Sequence, residues 1–97
     1  MARKPETRLV GKILEALRER GGYWIKVHGS PFQRRGIPDI IGCYCGRFYA
    51  FEVKVDPEAY DATELQQKNI TDITKERGVA CIVCSTEEAL KILNKEA

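Results

Sequence analysis

Apolar residues recur at helical spacing near the start of the chain. Leu9, Val10, Ile13, Leu14 and Leu17 form one stripe, which predicts a helix over residues 5–20. Pro5 suits its first position, and Gly21-Gly22 ends it. Residues 23–28 are rich in β-formers and predict a strand. Residues 29–38 bring Gly, Ser, Pro and two arginines without periodicity, the mark of a loop. Residues 39–44 and 47–55 predict two strands joined by a tight turn at Cys45-Gly46, the second broken by Asp56-Pro57. A helix is predicted over residues 63–77, with Thr63 and Gln66 as a capping box and Gly78 as its stop. The nearly all-apolar run 79–84 predicts a strand buried on both faces. Ser85 with Glu88 is a second capping box, opening a last helix that carries Ala89, Leu90, Ile92 and Leu93. The order αβββαβα places the chain in the α/β class, with a central mixed β-sheet covered by helices.

Composition adds little to this pattern but excludes several classes. Ninety-seven residues suit a single domain over 1–97 with one modest core. Hydrophobic residues at 43% and charged residues at 31% describe an ordinary globule rather than a disordered chain. No apolar run is long enough for a membrane span, and the basic N-terminus lacks a signal-peptide apolar stretch. The expected location is therefore cytoplasmic. A net charge of +2 is far from that of a DNA-coating protein, yet compatible with a nucleic-acid enzyme whose charge is concentrated locally.

The informative chemistry lies in Pro38-Asp39 and in Glu52-Val53-Lys54. Side chains alternate along a strand, so Glu52 and Lys54 share a face. If Cys45-Gly46 is a two-residue hairpin loop, Tyr44 faces Arg47, and five rungs further on Asp39 faces Glu52. Like charges directly opposite are unfavourable unless one is protonated or a cation lies between them. Mg²⁺ is commonly held by one or two carboxylates plus substrate phosphate, and Mn²⁺ takes similar ligands. Lys54 beside the pair would orient a water or neutralise charge on phosphorus. The alternative is a surface ion pair between Glu52 and Lys54. Against it, Ile41, Cys43, Phe48 and Ala50 share their face, while Ile40, Tyr44, Tyr49, Phe51 and Val53 form the other, so both faces are expected to be covered. Glu6 falls in the middle of the first helix's apolar stripe and Glu15 almost opposite it, so Glu6 is the candidate third acid. Gln66 lies on the inward stripe of its helix, where it can cap, reach the acidic site, or both.

These residues resemble a known family. Glu6, then Gly36-Ile37-Pro38-Asp39-Ile40-Ile41-Gly42, then Phe51-Glu52-Val53-Lys54, then Gln66 are similar to the VRR-NUC domain, a branch of the PD-(D/E)XK nuclease superfamily. A hydrophobic residue between acid and lysine, here Val53, marks that branch. The archaeal junction resolvases share the PD and ExK pattern and are its nearest neighbours. The resemblance implies a restriction-endonuclease-like fold. It implies a divalent-metal site (Mg²⁺ or Mn²⁺) formed by Glu6, Asp39, Glu52 and the backbone carbonyl of Val53. Lys54 would be the catalytic lysine and Gln66 the family's glutamine near the site. Stand-alone members from phages and bacteria imply a homodimeric endonuclease, a hydrolase of phosphodiester bonds in branched DNA, including Holliday (four-way) junctions.

Further candidates are weaker. Lys26, His28, Ser30, Gln33, Arg34 and Arg35 lead into Asp39 and suit phosphate contacts. Arg3, Lys4, Arg8 and Lys12 are further possible DNA contacts, although exposed helix charges usually only solvate. Cys43, Cys45, Cys81 and Cys84 are expected to be buried reduced thiols, since their spacing does not suit a zinc knuckle. Tyr23, Trp24, Tyr44 and Tyr49 are core or dimer surface. Two other functions compete with the nuclease: a non-catalytic nucleic-acid-binding module of the same fold, and, more remotely, a small cysteine–metal regulatory protein.

Overall fold

The computed structural model describes residues 4–56, 58 and 61–96, so Arg3 and the strand-breaking Pro57 lie outside the described residues. The elements run α1 (Pro5–Arg20), β1 (Tyr23–Lys26), β2 (Ile40–Tyr44), β3 (Arg47–Val53), α2 (Glu64–Lys75), β4 (Val79–Val83) and α3 (Thr86–Glu96). This is the predicted order. The strands form one mixed sheet, β1-β2-β3-β4, flanked by helices in the manner of the restriction-endonuclease-like fold. The first three strands are antiparallel, whereas β4 runs parallel to β3. A parallel neighbour needs a crossover, and α2 provides it.

The β2–β3 hairpin has the register expected of a two-residue turn. Tyr44 pairs with Arg47, and the ladder runs back to Ile40 opposite Phe51. Cys45 and Gly46 both take positive φ, 51° and 79°, as a type I′ turn requires.

One face of the sheet carries the core. Trp24, Ile40, Tyr49, Phe51, Val53 and Val83 pack with Val10, Ile13 and Leu17 of α1 and with Ala89 and Leu93 of α3. The Trp24 ring stacks near Tyr44 and tilts against Tyr49 and Phe51. Gly42 makes room for it, because a Cβ there would collide with the Tyr23 backbone and the indole. Each such buried large side chain contributes about 1.5–3 kcal/mol. The indole N–H donates to the Gly21 carbonyl at 2.8 Å, and the Arg18 guanidinium donates to the Trp24 carbonyl at 3.0 Å, fixing the α1–β1 corner.

The opposite face departs from expectation. It is covered on one side, where α2 packs against β4, and open over β1 and β2. Tyr23 is 69% exposed and Phe48 43%, and with Ile25, Ile41 and Cys43 they line a shallow apolar depression. β4 is correspondingly only half buried along most of its length, because it is an edge strand and lacks a neighbour on one side. The cysteines differ too. All four are free thiols, but Cys43 and Cys45 are exposed, one on the open face and one in the turn, and Cys81 and Cys84 are half-buried. At the start of α3 the Glu88 N–H donates to Ser85 Oγ, as the capping box predicts, and the Glu88 carboxylate accepts from the Cys84 backbone and thiol. Among the described residues no helix is long and apolar enough to cross a membrane.

Candidate active site

The hairpin register determines where the two acids meet. Asp39 precedes Ile40, and Glu52 follows Phe51, so the two lie one rung beyond the last pair of the ladder. Asp39 Oδ2 accepts the backbone N–H of Val53 at 2.8 Å, which keeps its carboxylate beside the next side chain along β3. The two carboxyls are near neighbours on one sheet face, Asp39 half-buried and Glu52 3% exposed. Burial, then the bond and charge of Asp39, push the Glu52 carboxyl up to about 9. Lys54 opposes that rise, and the charge of Glu6 adds to it. Without a cation, burial and the neighbouring acid thus favour the protonated form of Glu52.

Lys54 stands where β3 leaves the sheet. Its backbone N–H donates to Val83 at 3.0 Å, and its Nζ lies 3.5 Å from Gln66 Oε1. That same amide oxygen accepts the Thr63 backbone N–H at 2.9 Å, while Thr63 Oγ1 accepts from the Gln66 backbone at 3.2 Å. One oxygen atom of Gln66 thus closes the capping box and also lies within reach of the Lys54 ammonium, while no contact of Gln66 with the acids is seen among the described residues. The capping box aims the amide, and the aimed amide meets the lysine.

Glu6 is placed differently from the sequence-based expectation. Its position is in line with Val10, Ile13 and Leu17, but burial along the stripe begins at Val10 and Glu6 is exposed. Periodicity gives direction around a helix and not whether anything stands opposite; here the first turn overhangs the core. Only the charge of Glu6 reaches Glu52.

Among the described residues no three His, Cys, Asp or Glu side chains come close enough together to hold a metal ion. The pair Asp39/Glu52 nevertheless fits a hard divalent cation. Two oxygen-donor carboxylates are held together where repulsion and burial already force one to keep a proton, and a dication would take the place of that proton. The Val53 side chain, between Glu52 and Lys54, is wholly buried in the core.

The loop between β1 and β2 forms a cleft of about 260 Å³ beside the acids. Ser30, Gln33, Arg34, Arg35 and Asp39 are among its lining residues. Val27 N–H donates to the Asp39 carbonyl at 2.8 Å, so the loop closes on itself at its base. His28 is exposed and Lys26 half-buried, and neither lines the cleft. Arg34 is engaged by Asp72 of α2 at 2.8 Å, which Lys68 also contacts at 3.2 Å.

Asn69 escaped the sequence reading. It is 7% exposed, and its amide donates to the Arg35 carbonyl at 3.0 Å and the Leu65 carbonyl at 2.9 Å. Gly36, at φ 78°, lies so close to Leu65 that a Cβ would stand 2.6 Å from the backbone. The available signal was an amide three residues after Gln66 on one helix face. Together these contacts fasten the loop to α2, the helix that also meets Lys54.

A family model for the archaeal Holliday junction resolvase (hjc) matches residues 7–75, well over half of the chain. The chain belongs to that family. Archaeal Holliday junction resolvases are nucleases of PD-(D/E)XK type, so the activity class expected from the sequence is supported, as is the superfamily. The resolvase match spans Asp39, Glu52, Lys54 and Gln66 and begins one residue after Glu6. No curated protein matches the chain.

Proposed function

We propose that this resolvase-family protein is a divalent-metal-dependent endodeoxyribonuclease that hydrolyses phosphodiester bonds in branched DNA, with four-way junctions as its substrate, and that it works as a homodimer. The observation that carries the reading is the Asp39/Glu52 pair, one rung beyond the β2–β3 ladder, with Glu52 buried, Asp39 half-buried and Lys54 next along the strand face. A nucleic-acid-binding module would have no use for a carboxylate pair that must retain a proton.

Asp39 and Glu52 would hold Mg²⁺ or Mn²⁺; the VRR-NUC resemblance adds the Val53 carbonyl and Glu6 as further ligands, and the exposed Glu6 would have to move inward to serve. When bound, the cation supplies a Lewis acid for the scissile phosphate and a water of lowered pKa. Lys54, held by Gln66, orients the attacking water and neutralises charge building on phosphorus. The cleft lined by Arg34 and Arg35 receives the neighbouring phosphates, contacts that set register without reading sequence. Lys26, His28, Ser30 and Gln33 complete that DNA-facing loop.

A four-way junction has two-fold symmetry, and cutting it symmetrically requires two sites related by the same axis. The open sheet face, with Tyr23, Ile25 and Phe48 and no charged lining residue, is unsuited to a polyanion and suited to a second copy of the chain.

The test is a gel assay with four-way, flap, splayed and linear duplex DNA in Mg²⁺, Mn²⁺ or EDTA. Symmetric nicking of the four-way junction in either metal and none in EDTA is expected. Binding without cleavage of any substrate would replace this reading with the binding module.

A further inference from the structure

Phe32 is 97% exposed. It is the most exposed large apolar side chain among the described residues, and it sits on the loop that leads to Asp39. A single exposed apolar residue is ordinary on a protein surface. What sets this one apart is how firmly it is presented and what surrounds it.

Phe32 occupies the apex of a tight turn over residues 30–33. The Gln33 N–H donates to the Ser30 carbonyl at 3.1 Å, and the Phe32 N–H donates to Ser30 Oγ at 3.2 Å. Pro31 restricts φ at the preceding corner, the position proline favours in such turns. The turn is in turn anchored on α2 through Asn69 to the Arg35 carbonyl and through Asp72 to Arg34. The ring therefore projects from a turn whose backbone is hydrogen-bonded internally and tied to α2.

The surroundings name the ligand class. Ser30 and Gln33, the ends of the turn that carries Phe32, line the same cleft as Arg34, Arg35 and Asp39. An exposed ring on the loop that also carries Arg34 and Arg35 matches a ligand that is a polyanion carrying flat apolar faces, which describes a nucleic-acid strand. In a continuous duplex those faces are hidden in the stack. They become available at a branch, where stacking is interrupted.

We propose that Phe32 is a stacking residue that packs on a nucleobase exposed at the branch point, and so favours branched over continuous DNA. This rests on the nuclease reading and assigns substrate selection to that same site. Phosphate contacts hold the strand, and the ring reports whether a free base face is there.

The experiment compares wild type, Phe32→Ala and Phe32→Trp for binding to a four-way junction and to linear duplex of the same sequence. Calcium replaces magnesium so that binding is read without cleavage. Loss of a base–aromatic stack costs about 1–3 kcal/mol, so Phe32→Ala should weaken junction binding by about 5- to 150-fold while linear-duplex binding changes less than about twofold. In Phe32→Trp, junction binding should be retained and the new indole quenched by the junction but not by the duplex; the native Trp24 is buried and supplies the background. Sedimentation of the alanine variant should match wild type. Equal loss on both DNAs, no loss at all, or a change of oligomeric state would each overturn the proposal. If wild type selects junctions and Phe32→Ala selects them equally well, only this inference fails. If wild type binds no branched DNA, the nuclease reading fails with it.

Discussion

Asp39 Oδ2 accepts the backbone N–H of Val53 at 2.8 Å, so one acid of the site is held by the peptide bond that follows the other. A carboxylate fixed to the backbone of its neighbour's strand cannot swing away from the repulsion that neighbour creates. The two carboxyls are thereby kept side by side.

Replacing Asp39 with Asn should reduce cleavage by at least about 100-fold, the scale of losing one group that stabilises transition-state charge. Junction affinity in Ca²⁺ should stay within a few-fold of wild type, since the loop contacts are untouched. Retained cleavage would remove Asp39 from the site.

Glu52 gives a pH dependence whose sign follows from its folded value of about 9 against an ordinary 4.5. Between those limits the folded protein keeps a proton that the unfolded chain releases. Stability without divalent ions should therefore fall as pH rises through that window. Thermal melts in EDTA should show Tm dropping by several degrees between pH 5 and 9 in wild type. Glu52→Gln should flatten the slope. Added Mg²⁺ should raise Tm more at pH 9 than at pH 6, because binding must displace that proton at the lower pH.

The dual use of Gln66 can be separated by two substitutions. Gln66→Ala removes the capping-box acceptor and the lysine contact together, and should lower stability by about 1 kcal/mol along with cleavage. Gln66→Glu keeps a side-chain acceptor for the Thr63 N–H and should melt close to wild type. Its charge beside Lys54 should still shift the pH–rate profile. If Gln66→Glu cleaves with a wild-type profile, the lysine contact is incidental.

Phe48→Asp places a charge on the open sheet face. If that face joins two copies, the variant should sediment as an 11.0 kDa chain and wild type at twice that mass. Circular dichroism should be unchanged, because Phe48 is 43% exposed and outside the core. A wild-type monomer at micromolar concentration would remove the homodimer from the proposal.

Much of this arrangement was legible in residue order, and the parts that were not share a cause. The hairpin register followed from Cys45-Gly46 alone, because a two-residue turn leaves no freedom in which residues pair. The Thr63/Gln66 box was legible because its contacts are three residues apart. Glu6 was misplaced because helical periodicity cannot say where the opposing sheet ends. The grip of Asn69 on Arg35, and of Asp72 on Arg34, spans more than thirty residues of chain and leaves no local pattern. β4 looked doubly buried because its composition matches a central strand, while its place at the sheet edge is a matter of topology.

The type I′ turn has a consequence at the far end of the hairpin. Five rungs at about 3.4 Å separate it from Asp39 and Glu52, roughly 17 Å. Inserting one residue between Cys45 and Gly46 would slide β3 by a position and exchange its faces. Glu52 would then take the core position of Val53, while Phe51 and Val53 would occupy the places of Glu52 and Lys54. Loop length at that distant tip is therefore tied to the placing of Glu52 and Lys54, and insertion variants there should be lost from any selection for cleavage.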